Sequence, residues 1–195
     1  MLILLKKAWY SLAAARSDNR RMLMARLSFV PLAVAALAAC APALDWREVR
    51  LEGSGLQAML PCRPNTQART VSLAGRSVKL TLAACSAGDQ TWAIAYADVG
   101  DPATVATALD ELRQSAARNL GAEPPALSPL AVPGATPNAG SGRIAFDGRL
   151  PDGSAVREQA AVFARGTLVF QATAVGAKLG ADAVDTFFGS LRFPS

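Results

Sequence analysis

The chemistry open to this chain is narrow, because its 195 residues include three cysteines, at positions 40, 62 and 85, and no histidine. Without an imidazole, Ser-His-Asp and Cys-His mechanisms lack their general base. Gly53-Ser54-Gly55 and Gly140-Ser141-Gly142 do not have the G-x-S-x-G spacing of a nucleophile elbow and read as turns. Ser77-Val78-Lys79 lacks the S-x-x-K spacing, and neither phosphate-binding glycine pattern, G-x-x-x-x-G-K-[ST] or G-x-G-x-x-G, occurs. The cysteines are too few for structural zinc, which normally takes four ligands. Asp98 and Asp101 come closest to an acid pair or a cation site. Asp98, however, closes a strand pattern, and Asp101 precedes Pro102 as an N-cap precedes the first helical residue. Trp46, Trp92, Tyr96, Phe163 and Phe170 have the side chains to line a ligand groove, but aromatics at period 2 on strands are more often core. The expectation is a protein with no metal, no cofactor and no enzymatic activity.

Cys40 belongs to a different pattern. It follows an apolar run, Leu27 to Ala39, which itself follows a basic segment. A short apolar run behind positive charge, ending in small residues, is an export signal. At 13 residues and with Pro31 inside it, the run is shorter than the roughly 20 residues a membrane span needs. It also lacks the polar positions at helical spacing that a surface-packed helix would show. Leu37-Ala38-Ala39-Cys40 resembles the lipobox of bacterial lipoproteins. That resemblance implies cleavage before Cys40, diacylation of its thiol, acylation of the new amino terminus and attachment to a membrane through the lipid. Ala41, where an aspartate would favour retention in the inner membrane, implies the outer membrane in a two-membrane host. Residues 1–39 are then a signal peptide. A start at Met22 or Met24 gives a compact leader, so residues 1–21 or 1–23 read as an over-extended gene start. Arg20-Arg21 faintly resembles a twin-arginine signal whose remaining motif is missing.

An exported chain meets an oxidising compartment. With Cys40 taken by lipid, Cys62 and Cys85 remain as an even pair and are expected to form a disulfide, two buried free thiols being the alternative. The bond would close a loop of about 24 residues, worth roughly 3 kcal/mol in the chain-entropy model. In a simple meander one strand would separate the two cysteines, farther than a disulfide tolerates unless that strand stops short.

Charge removes another class of function. The chain carries +5, but Lys6, Lys7, Arg16, Arg20, Arg21 and Arg26 against Asp18 place all of it in residues 1–39. Residues 40–195 hold 14 basic and 14 acidic residues. A neutral mature chain has no bulk attraction to phosphate, so nucleic acid is not an expected partner. Its 156 residues suit one domain with one core.

Residues 40–45 form a lipidated tether, and residues 46–195 a single domain. Trp46–Leu51, Leu56–Leu60, Thr70–Leu73, Val78–Cys85 and Trp92–Val99 alternate as strands between turns, an antiparallel meander. Asp101-Pro102 opens a helix whose stripe is Val105, Leu109, Leu112, Ala116 and Leu120, ended by Gly121. Residues 122–141 hold five prolines and form a long loop of the kind that is often functional. Arg143–Leu150, Val156–Ala164 and Leu168–Ala174 read as two consecutive hairpins. Val184, Phe187, Phe188 and Leu191 at i, i+3, i+4, i+7 predict a terminal helix docked through its aromatics. Strands, helix, strands, helix with local hairpins is an α+β arrangement on an antiparallel sheet.

Met59-Leu60-Pro61, the helix after Asp101-Pro102 and the closing Asp185-Thr186-Phe187-Phe188-Gly189-Ser190-Leu191-Arg192-Phe193 make residues 46–193 similar to the Mog1/PsbP-like fold. The resemblance implies a sheet sandwiched between helices and transfers no functional residue, since that fold hosts unrelated roles. The expected function is a non-enzymatic envelope lipoprotein, a binding or assembly module for an envelope protein partner. A small-ligand binder using a groove beside residues 122–141, lined by the tryptophans, is the alternative. An enzyme would need two carboxylates converging in a cleft.

Overall fold

The computed structural model describes residues 44–194; residues 1–39, expected to be a signal peptide, and Cys40 lie outside the described residues. The first half comprises β1 (Arg47–Arg50), β2 (Gln57–Leu60), β3 (Asn65–Leu73), β4 (Arg76–Ala87), β5 (Gln90–Asp98) and helix α1 (Val105–Asn119). The second comprises β6 (Gly142–Arg149), β7 (Ala155–Arg165), β8 (Leu168–Gly176) and helix α2 (Ala181–Gly189). All strand pairs are antiparallel, and the class is α+β.

The strands do not form one meander. Six of them make a sheet in the order β3-β4-β5-β8-β7-β6, while β1 and β2 form a separate two-stranded hairpin. The reason lies in what β2 must bury. Ala58 and Leu60, and Leu56 just before the strand, are all 0% exposed, so this four-residue strand lies on a face of the large sheet instead of lengthening its edge. The second departure is at the centre. β5 pairs with β8 over nine residues, from Gln90 opposite Gly176 to Asp98 opposite Leu168. The chain leaves β5 through α1, returns at the far edge as β6, and folds back inward through two hairpins. β3 begins at Asn65, five residues before the alternating stretch that marks it in sequence, because its exposed edge has no buried face to impose a pattern.

Each helix covers one face of the sheet. On one side α1 buries Val105, Leu109, Leu112 and Ala116 against Leu80, Ala160, Val162 and Val169. Asp101 accepts a hydrogen bond from the Ala103 amide at 2.9 Å, Pro102 opens a 3-10 turn, and α1 follows directly. Leu120 and Gly121 (φ +67°) end it. On the opposite face lie the β1–β2 hairpin and α2, over Trp92, Ile94, Phe163 and Phe170. Val184, Phe187, Phe188 and Leu191 are buried, Phe187 edge-on to Trp92 with ring centroids 5.3 Å apart. The Ser190 hydroxyl accepts from the Met59 amide at 2.8 Å, and Arg192 and Gln57 exchange backbone hydrogen bonds. These bonds join the C-terminal tail to β2.

Residues 122–141 are pinned to the domain. Leu127 packs on the α1 side, Ser128 bridges Arg143 at the β6 edge, and Leu130, Val132 and Ala135 pack on the α2 side. The prolines keep this segment out of a regular ladder, and it wraps the sheet edge with two isolated bridges, Ser128–Arg143 and Thr136–Ala164.

Candidate functional site

Cys62 and Cys85 are bonded, with their Cα atoms 5.9 Å apart. β3 does not stand between them as it would in a meander, because β2 is not in the large sheet. Cys62, just past β2, lies over the face from which Cys85 projects beside Trp92. The bond staples the small hairpin onto the sheet. Cys40 lies outside the described residues.

The two aspartates singled out by spacing have separate local tasks. Asp98 accepts from the Gly100 amide at 2.8 Å. Its carboxyl is held below the ordinary range first by a hydrogen bond from Thr167 and then by that amide. Asp101 caps the turn before α1 and faces Arg76 at 3.7 Å. Of the five aromatics expected as core or groove, three are core: Trp92, Phe163 and Phe170 are at most 1% exposed, Phe163 and Phe170 stacking with centroids 5.1 Å apart, while Trp46 and Tyr96 are half-buried against them.

A concavity lies on the other face, beneath the C-terminal half of α1. Sheet residues there are small: Ala93 and Ala95 of β5 stand between Leu80 and Leu82 of β4 and Gln171 and Thr173 of β8. α1 roofs this floor with Leu112, Ser115, Ala116, Asn119 and Leu120, and small side chains on both layers leave a cavity of about 90 Å³. Leu150 and Pro151, from the β6–β7 turn, form its rim. Gly148 sets how closely that turn approaches α1. A Cβ there would stand 2.6 Å from the Leu120 Cβ, and its absence lets the Arg149 amide donate to the Leu120 carbonyl at 2.9 Å. Neither residues 122–141 nor a tryptophan lines the cavity. The loop is occupied in wrapping the β6 edge, and Trp92 faces the opposite layer.

One ionisable side chain lines the cavity, Glu158 of β7. It is 3% exposed, and among the described residues neither a hydrogen-bond donor nor a cation reaches its carboxyl. Burial alone pushes this acid up to about 8, because a low-dielectric wall disfavours the charged form. Its polar neighbours in the cavity are Ser115, Asn119, Gln171 and Thr173, with the Gln171 amide donating to the Thr173 hydroxyl at 3.1 Å. Sequence reasoning passed over Glu158, although a signal was present. Val156, Glu158, Ala160, Val162 and Ala164 share one strand face, and the other four are buried, so a carboxylate sits in an otherwise apolar row.

Chemically, a lone acid in a mostly apolar hollow can bind and can exchange a proton. No second carboxylate lines the cavity, and no group of three or more potential metal-ligating side chains gathers among the described residues. No helix among the described residues is long and apolar enough to cross a membrane. The chain matches no family model and no curated protein.

Proposed function

We propose that this protein is a non-enzymatic envelope lipoprotein, anchored through lipid on Cys40, whose single domain is a small-ligand-binding module with the cavity beneath α1 as its site. One observation carries the binding reading: a buried carboxyl without a partner faces a preformed cavity of about 90 Å³. Buried polar groups in folded domains are almost always satisfied, and one left open toward a cavity is a place for a ligand to supply the missing bond. Helices on both faces of an antiparallel sheet, and a tail in which Ser190 bonds β2, support kinship with the Mog1/PsbP-like fold. That fold assigns no ligand. The test is amide NMR of the purified protein titrated with four-carbon probes of different charge, n-butanol, n-butylammonium and butyrate. Binding by any of them is expected to move the signals of Ala95, Ala116 and Thr173. If none of the three moves those signals, the binding reading is wrong.

A further inference from the structure

The binding reading leaves the ligand's chemical class open, and the cavity's own composition narrows it. Among the side chains lining the cavity, Glu158 is the one that can ionise. Arg118, in the last turn of the roof helix, is exposed and engaged with Gln114 at 2.8 Å and with Ser115 at 3.2 Å. On β6 and its turn, Arg149 donates to the Gly153 carbonyl at 2.9 Å, and Asp152 accepts from the Ser154 amide at 2.9 Å. The cavity-facing residues of β4, β5 and β8 are uncharged. An anion entering the cavity would meet a carboxyl with no basic group to offset it. A neutral apolar molecule would leave that carboxyl unsatisfied. A cation would supply the partner the site lacks, and a buried charge is tolerated when it is paired and hydrogen-bonded.

Resting on that binding reading, we infer that the cavity beneath α1 takes a small primary-amine cation with a short alkyl stem, its ammonium group paired to Glu158 and its stem against Leu80, Ala93, Ala95 and Leu112. The remaining ammonium hydrogens have acceptors within the lining, namely the Gln171 amide oxygen, left free when its nitrogen bonds Thr173, and the Asn119 amide oxygen. Size supports the class. At about 90 Å³ the cavity is smaller than the roughly 150 Å³ apolar cavity that admits benzene, so it fits an alkyl stem better than an aromatic ring. Near neutrality Glu158 is mostly protonated, so uptake of R–NH₃⁺ forms the carboxylate–ammonium pair and releases the carboxyl proton to solvent. No covalent bond changes.

The experiment is calorimetric titration of the intact protein with n-butylammonium and, separately, n-butanol, at about pH 6 and about pH 8.5, in two buffers of different ionisation enthalpy. Wild-type protein is expected to bind n-butylammonium more than roughly tenfold tighter at the higher pH. At neutral pH the buffer comparison is expected to show close to one proton released. Glu158→Gln is expected to weaken n-butylammonium binding about 30-fold or more at the higher pH and to erase the pH dependence. If wild type binds n-butanol at least as tightly as n-butylammonium, or Glu158→Gln binds the cation as tightly as wild type, the amine class is overturned while the cavity remains a ligand site. If neither probe binds, both the amine class and the binding reading fall. The comparison of n-butylammonium with n-butanol uses wild-type protein, so it decides the question even if the glutamine variant folds poorly.

Discussion

Glu158 gives the domain an unusual dependence on pH. In an unfolded chain its carboxyl ionises near the ordinary value of 4.5, and in the folded domain only near 8. Between those limits the unfolded state releases a proton that the folded state keeps. Unfolding is therefore favoured progressively as pH rises from about 4.5 to about 8, and the loss is complete above that. The slope approaches about 1.4 kcal/mol per pH unit at most. Asp98 and Asp110 work in the opposite sense, held low chiefly by hydrogen bonds from Thr167 and Arg113. Their contribution is lost only as pH falls below 3.8, outside the Glu158 window. Chemical denaturation of wild type at about pH 5, 7 and 9 is expected to show falling stability, while Glu158→Gln stays nearly level and exceeds wild type at the highest pH. Equal slopes in the two proteins would place the effect elsewhere. The residue was legible in sequence as a carboxylate in an apolar strand face. That it would be left unpartnered was not, because the absence of a nearby cation depends on which turns of α1 lie above it.

At the scale of elements, the terminal helix and the small hairpin secure one face of the sheet. Phe187 packs edge-on to Trp92, and Phe188 lies 4.9 Å from Phe187 and 4.5 Å beneath the Arg143 guanidinium. Both are at most 2% exposed. Truncating either to alanine is expected to cost roughly 3–5 kcal/mol, measured by denaturant unfolding. If both variants melt like wild type, α2 does not hold the domain together. The disulfide acts on the same face. Cys62→Ala with Cys85→Ala is expected to lower stability by about 3 kcal/mol, the chain-entropy value for a loop of this length. Reducing agent should then shift the wild-type midpoint but not that of the double variant. α2 was readable from its i, i+3, i+4, i+7 stripe, since a helix with one apolar face has one way to bury it. The hairpin was misread as part of a meander, since alternation reports that a strand has a buried face and not which sheet shares it.

For the molecule as a whole, one continuous sheet with both faces covered predicts a cooperative unit. Residues 46–195 expressed without the leader are expected to unfold in a single transition, with coincident far- and near-ultraviolet dichroism. Two separated transitions would divide the hairpin and α2 from the α1 side. The anchoring proposal concerns the segment before the domain and has its own measurement. Mass spectrometry of the protein isolated from its native envelope is expected to find an acylated Cys40 at the amino terminus. An unmodified Cys40, or a chain retaining residues 27–39, would reject it.

Sequence alone determined the features that rest on local physics. These are the apolar run before Cys40, the charge neutrality of residues 40–195, the Asp101-Pro102 helix start, the hairpins joining β6, β7 and β8, and the aromatic stripe of α2. Each is set by residues within a few positions of one another, where propensity and periodicity act directly. Tertiary structure alone decided that β5 lies beside β8, that β2 leaves the sheet and so brings Cys62 to Cys85, and that α1 spans a floor of alanines to leave a cavity around Glu158. Those outcomes depend on how layers far apart in the chain fill, or fail to fill, the space between them. The alternation of a single strand carries no record of the volume that will face it.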